Sequence, residues 1–581
     1  MEPPVPPPFV PEPGPRHNTL LGLAVAAVSL LLLVLTGPSL AIVWDEGYTL
    51  GREQRVRWWF EAMADPPAFA ASWHGPGREL VQPDRLPTPR ADQIDTRAKL
   101  LDRDVIAWFW PFGREEPHGH PPFYAIVGMI GDVLAPGWPT LERARLGPMI
   151  AFSLATGLVF ASCRKRWGTW AGAIGAGALL LQPRLFAHAH YATYDGLLTA
   201  LWVCGTIAFA RAVEARDDGP PSRLRWGPIV AFGILCGFAA DTKLTGWFLP
   251  LPCLAWAALR LDRRALLTLL AAAPIAILTL YMFNPPWWPD PLGGVAAFFQ
   301  SNLTRGRTIP IETMFLGRVY RTPIDSLPWF NTLAWVVFVV PVGVLVMALI
   351  GATRAAASAR SDPDALPSLA LLHALFLLTL RALPHTPGHD GERQFLAAFG
   401  MIALLAGAGA GWVVRRRPRD GRAIVLLPLI EAAVSVIAMM PVPLSYYAPQ
   451  VGGPPGASRL GMEPTYYWDG LTPDAIDWLN RNTPDGSSVM FATNPTSWMY
   501  LRDAGTIKVP VAPFDQSTGP KWLVVQNRTG SLRPVEKALI ARIGPSHVIS
   551  QTMGVPLVWA FPWLEYEVEA MNQATTRGGQ R

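Results

Sequence analysis

Two adjacent carboxylates, Asp45 and Glu46, stand between Trp44 and Tyr48 at the end of a long apolar run. Charge placed there is costly if buried and idle, and a carboxylate is the usual proton acceptor for a sugar hydroxyl. The pair therefore reads as a general base or a metal ligand, with a solvated helix end as the plain alternative. His118 and His120, two apart and followed by Pro121 and Pro122, have ligand character, although loop polarity explains them more simply. His188, His190, Tyr191, Tyr194 and Asp195 form a third cluster; an Asp at a helix start also favours the helix dipole. Lys243 lies between two apolar stretches in a chain where Lys is rare. Its compact ammonium suits a phosphate, and a surface pair with Asp241 is the bland reading. Pro384, His385, His389, Asp390, Gly391, Glu392, Arg393 and Gln394 crowd the entrance of another apolar run. That crowding fits a basic pocket at headgroup level, in which Arg393 could hold a phosphate through two parallel hydrogen bonds, unless it merely snorkels to the interface.

The elements that must position these groups are membrane spans. Half of the 581 residues are hydrophobic and only 16% are charged. Several apolar runs reach the roughly 20 residues a helix needs to cross about 30 Å of hydrocarbon. The first run is too long for a signal peptide and has no small-residue cleavage pattern, so it reads as a retained helix. The net charge of +6 is not spread along a soluble face, which disfavours nucleic acid. It is concentrated in short Arg clusters: 164–166, 211–225, 260–264, 354–360 and 415–422. Each follows one apolar run and precedes another, which marks a cytoplasmic loop. Threading that alternation gives about eleven crossings, near 20–43, 143–162, 170–189, 196–212, 227–240, 244–259, 265–283, 331–351, 367–383, 395–413 and 423–443. The stretch 120–135 cannot cross without reversing the charge rule and is read as an interfacial helix. The groups around Asp45, His120, Asp195, Lys243 and Arg393 then fall on the outer side. The four cysteines, Cys163, Cys204, Cys236 and Cys253, lie in or beside apolar runs, so neither a disulfide framework nor a Cys-based zinc site is expected.

The organisation that follows is all-α and polytopic, with a small α/β domain outside the membrane. Residues 1–18, rich in proline near the start, are expected as a disordered cytoplasmic tail. Residues 19–445 form the membrane domain, with a long first outer loop over 44–142, and 446–581 form the C-terminal domain. Within the latter, 448–461 reads as a Gly/Pro-rich spacer, 473–480 and 534–543 as helices, and 488–492 and 522–526 as strands.

The Asp45-Glu46 pair after the first span, His120-Pro121-Pro122 before an interfacial helix, Asp195 two spans later and Glu392-Arg393 at a late span together resemble the GT-C glycosyltransferases. The branch most similar is family 39, the dolichyl-phosphate-mannose protein mannosyltransferases and bacterial aminoarabinose transferases. The resemblance covers about 20–445 and rests on the order and common sidedness of short motifs. It implies inverting transfer of a sugar from a polyprenyl-phosphate carrier to an acceptor outside the cytoplasm. On that likeness Asp45 is the base that deprotonates the acceptor hydroxyl and Glu46 orients it. Asp195 is the second acidic position, Lys243 and Arg393 lie near the donor phosphate, and His120 and His389 are further phosphate-side positions. Lys or Arg can stabilise a departing phosphate without a metal; a divalent cation held by Asp45 and Asp195 is the alternative, and the resemblance implies neither metal nor cofactor. The tail departs from the sugar-binding repeats of eukaryotic relatives, so no protein acceptor is implied. The Arg, Ala, Gly and Pro bias leans toward a bacterial inner membrane and an undecaprenyl carrier. A transporter or flippase is the competing class, but it would place its charges near the midplane between broken helices, whereas these charges stand at span ends. A non-catalytic receptor or scaffold leaves Asp45, Lys243 and Arg393 without a purpose.

Overall fold

An apolar run in hydrocarbon must satisfy every backbone N–H and C=O within itself, and a helix does so. In the computed structural model, which describes residues 15–75, 87–111, 120–214, 224–308, 311–322, 324–360, 364–493 and 498–578, the long apolar runs are helical. Seven helices are long and apolar enough to cross a membrane: His17–Ser39, Thr140–Trp167, Tyr194–Val213, Arg263–Met282, Ala365–Ala382, Ala397–Arg416 and Gly421–Met439. The remaining expected crossings also hold helices, but shorter or broken ones. Thr169–Leu181 stops before Pro183, which starts a second helix, Pro183–His190. The run from 244 begins as a 3-10 turn, Leu244–Phe248, and becomes α-helical at Pro250–Arg260. Pro341 separates Asn331–Val339 from Val342–Ser358. Each break falls at a proline, whose ring removes a donor and clashes with the preceding turn. The stretch 120–135 forms two short helices, Phe123–Gly128 and Ile130–Leu134, together too short to span. Most of the tail 1–18 and His118 lie outside the described residues.

Burial sorts the spans into centre and periphery. Tyr194–Val213 and Ala397–Arg416 are 89% and 83% buried over their most apolar windows, whereas Arg263–Met282 and Gly421–Met439 are only 22% and 28% buried. Outward-facing Leu270, Ile277, Leu427 and Ile437 are exposed on those peripheral helices, as lipid-facing residues would be. Close approach between helices uses small residues: a Cβ on Gly157 would collide with the Gly22 carbonyl oxygen of the first helix.

The two ends of the bundle carry different ion pairs. At one end Arg166 pairs with Glu214 and, at 3.2 Å, with Asp364. Arg225 lies 3.7 Å from the same Glu214, and Arg264 donates to the Glu214 carbonyl at 3.0 Å. These Arg clusters thus share one face. Asp195 lies in the first turn of the helix Tyr194–Val213 and Glu214 caps its other end, so the groups around Asp195 occupy the other face, about 30 Å away at 1.5 Å per residue.

On that second face stand a hairpin, β1 (Ile311–Phe315) with β2 (Arg318–Thr322), and the C-terminal α/β unit. The latter is a five-stranded mixed sheet of β3 (Ser488–Phe491), β4 (Val511–Ala512), β5 (Pro520–Gln526), β6 (Val548–Thr552) and β7 (Val555–Pro562), in the order β4-β3-β5-β7-β6. Helices Pro473–Asn482, Pro534–Ile543 and Trp563–Gly578 accompany it. The stretch expected as a spacer is not an open one. It contains the helix Gly453–Arg459, and the residues around it bury Tyr446, Tyr447, Tyr466, Tyr467 and Trp468. Their aromatic rings need partners for their polar tips, and Tyr466 and Tyr447 donate to the Met314 and Glu463 carbonyls at 2.6 and 2.8 Å.

Candidate active site

Asp45 is the residue preceding the helix Glu46–Ala64, and its own carboxylate makes no capping bond. It is left for Arg393, whose Nη1 donates to Asp45 Oδ2. The same Nη1 lies 3.6 Å from Asp195 Oδ2 and donates to the Tyr467 hydroxyl at 2.7 Å, while Nη2 donates to Asp390 Oδ2 at 2.8 Å. Arg393 also stands over the Tyr467 ring, 4.4 Å from its centroid. Lys243 closes the other side of Asp195, its Nζ donating to Oδ1 at 2.6 Å. Of the seven residues expected here, Asp45, Asp195, Lys243 and Arg393 are therefore brought into one connected cluster.

The alternatives raised for Lys243 and Asp195 can be compared with these contacts. Lys243 pairs with Asp195 rather than with Asp241, which accepts instead from Asn284 Nδ2 at 3.0 Å. Burial pushes the Lys243 ammonium down to about 8, and Asp195 partly restores it. Among the described residues, Asp195 Oδ2, Arg393 Nε and His188 Nδ1 are buried without a hydrogen-bond partner. Buried polar atoms are almost always satisfied, so these atoms favour a ligand or water at this place.

Glu46 points elsewhere. Its two carboxylate oxygens accept from Arg145 Nε and Nη2, both at 2.7 Å, and from the Val43 and Ala192 amides at 3.1 and 3.0 Å. Its acceptor capacity is engaged, and it anchors the turn that presents Asp45. Glu392 behaves in parallel, accepting from Arg184 Nη1 at 2.7 Å, with Arg184 stacked on Trp335 and Tyr447. His120 stacks on Tyr194, centroids 3.7 Å apart, and Tyr194 Oη accepts from Arg52 at 3.3 Å. His389 lies beside the cluster, with Nε2 3.9 Å from Asp390 Oδ2 and 3.2 Å from Gln394 Nε2.

Among the described residues no group of three or more His, Cys, Asp or Glu side chains is placed to hold a metal ion. The position between Asp45 and Asp195, where a divalent cation would have to sit, is taken by the Arg393 guanidinium, which contacts both.

Sequence reasoning passed over Arg145, Arg184, Tyr467 and Arg528. Arg145 and Arg184 sit in or beside apolar spans, where an intramembrane charge is itself a signal. Tyr467 belongs to Tyr466-Tyr467-Trp468-Asp469, an aromatic and acidic run whose density was readable although its docking was not.

Fold and site together define a polytopic membrane protein with a buried ion-pair cluster at one end of its bundle. The family model for dolichyl-phosphate-mannose-protein mannosyltransferases matches residues 119–288, a segment that contains His120, Asp195 and Lys243. That match bears out the glycosyltransferase class and the family resemblance read from the residues. Among solved structures, ArnT from Cupriavidus metallidurans bound to undecaprenyl phosphate is 14% identical, with a TM-score of 0.48 over 94% of this chain and 98% of that one. The archaeal oligosaccharyltransferase AglB from Archaeoglobus fulgidus, in complex with an inhibitory peptide and a dolichol-phosphate, is 14% identical, with a TM-score of 0.43 over 87% of this chain and 69% of that one. No curated protein matches the chain at a significant level.

Proposed function

We propose that this protein transfers a sugar from a polyprenyl-phosphate carrier to a hydroxyl acceptor, with inversion, on the side of the membrane away from the cytoplasm. The observation that carries the reading is the convergence of Asp45 and Asp195 on Arg393, with Lys243 bound to Asp195. Asp45, Asp195 and Asp390 face Lys243, Arg393 and Arg528 in this cluster. A lipid phosphate entering it competes with Asp45 for Arg393. Binding of the donor thereby releases the carboxylate that must act as base.

In the transfer step the acceptor oxygen attacks the anomeric carbon while the bond from that carbon to the phosphate oxygen breaks. The proton of the acceptor hydroxyl passes to Asp45, and the electron pair leaves with the polyprenyl phosphate. Arg393 and Lys243 stabilise the charge that grows on that phosphate, which is the main electrostatic demand of the reaction. Asp195 holds Lys243 in place, and Glu46 with Arg145 holds the turn bearing Asp45. His120 and His389 flank the phosphate side. A bacterial inner membrane and an undecaprenyl carrier fit the composition of the chain.

The test is Asp45→Asn in membranes, assayed for transfer from a radiolabelled lipid-linked sugar. Loss of a general base should lower the rate by roughly 10²–10⁴-fold. Transfer at the wild-type rate would remove Asp45 from the mechanism.

A further inference from the structure

Arg528 follows β5 in the C-terminal unit, yet its side chain is only 5% exposed and reaches the cluster at the end of the membrane bundle. Its Nη1 lies 3.0 Å from Asp390 Oδ1, and its Nε 3.9 Å from Glu463 Oε2. Asp390 presents its other oxygen to Arg393. One carboxylate therefore bridges two arginines, and the second of them holds Asp45.

Backbone conformation points to the same contact. Asp390 and Trp468 have φ of 61° and 62°, in the left-handed region. Asp tolerates that region, but a bulky aromatic residue rarely enters it. Such conformations persist where surrounding contacts over-determine them. Arg528 touches both residues: it pairs with Asp390, and its guanidinium carbon stands 5.4 Å from the Trp468 ring centroid. Glu463 is fixed in turn by the Gly530 amide, which donates to Oε1 at 2.7 Å, only two residues beyond Arg528.

We infer that Arg528 is a positioning residue that aims Arg393 at Asp45 and the donor phosphate through Asp390, so that the C-terminal α/β unit completes the transfer site. Asp390 has two oxygens and two cationic partners. Without Arg528 its charge acts on Arg393 alone, drawing that guanidinium away from Asp45 and from the phosphate. The inference rests on the transferase reading above.

The experiment uses the full chain in membranes, with an undecaprenyl-phosphate-linked sugar as donor. Arg528→Gln should lower kcat on the order of a hundredfold, the size expected for misplacing a reacting group by about 1 Å, with the acceptor KM unchanged. Arg528→Lys, which keeps the charge, should recover most of the rate. In an Asp390→Asn background, Arg528→Gln should cost nothing further. Wild-type kcat in Arg528→Gln, equal damage from Gln and Lys, or a full additional loss in the Asp390→Asn background would each overturn the inference. If Arg528→Gln does not accumulate, the Lys variant and the double variant decide by the same criteria. Activity in the wild type, its loss in Asp45→Asn and its retention in Arg528→Gln would sink this inference alone; a wild type inactive with every lipid-linked donor would sink the functional reading and the inference with it.

Discussion

Lys243 and Arg393 share Asp195 between them, and the two cations differ in how they answer to pH. A guanidinium stays charged throughout the working range. Lys243 does not, because burial brings it down to about 8 even with Asp195 beside it. The sign follows directly: below about 8 the ammonium is present and can bind the donor phosphate, and above it the charge is lost. The expected outcome is a kcat/KM for the lipid donor that falls as pH rises through about 8, since that ratio reports the free enzyme. The kcat profile should fall at higher pH, because a bound phosphate raises the Lys243 pKa. Lys243→Arg should remove the alkaline limb in kcat/KM; a limb unchanged in that variant assigns the titration to another group. Arg393→Lys should be far from conservative, because a single ammonium cannot serve Asp45, Asp390 and the Tyr467 hydroxyl from one planar fork. A rate loss of about tenfold or more is expected, read from initial velocities at saturating donor.

At the scale of elements, the turn before the helix Glu46–Ala64 is held by the buried pair Glu46–Arg145, both under 2% exposed. Breaking a buried pair by removing one partner typically costs about 3–5 kcal/mol, whereas replacing both is far milder. Arg145→Met should therefore lower the thermal unfolding temperature in detergent strongly, and Arg145→Met with Glu46→Gln should regain much of it. Equal destabilisation by the single and double variants would mean that Arg145 acts through its packing on Tyr191 rather than through charge. This pair also shows how far the sequence could be read. The adjacency of Asp45 and Glu46 was visible, but not that the helix start turns one carboxylate toward Arg393 and the other toward Arg145, because that depends on a residue about a hundred positions away. Asp195, Lys243 and Arg393 could be singled out as candidates because each charge stands at the edge of an apolar run, and the helical spans because the apolar runs themselves are long. Arg528 was not legible: it sits in a soluble stretch where an arginine is ordinary, and only the folding of 443–471 onto the bundle brings it near Asp390. The Gly/Pro-rich segment 448–461 hid its role for the same reason, since the burial of the tyrosines on either side of it follows from tertiary packing and not from periodicity.

For the whole molecule, the two charged ends of the bundle make a prediction about sidedness. The end that gathers Arg166, Arg225 and Arg264 carries the excess of arginine expected of a cytoplasmic face, so the C-terminal α/β unit and the Asp45 cluster are expected on the opposite side. Of the native cysteines, Cys163, Cys236 and Cys253 are buried and Cys204 is partly so, leaving little labelling background. A membrane-impermeant maleimide should label Lys508→Cys in intact cells, and Arg417→Cys only after the membrane is opened, as both positions are exposed. The opposite pattern would invert the assigned topology. The account as a whole requires the cluster to receive a lipid phosphate, and binding tests that without needing to know the sugar or the acceptor. Purified protein titrated with undecaprenyl phosphate should bind it saturably, with affinity reduced on the order of tenfold or more when Lys243→Gln or Arg393→Gln removes one charge-assisted contact. Undiminished affinity in both variants would contradict the central claim.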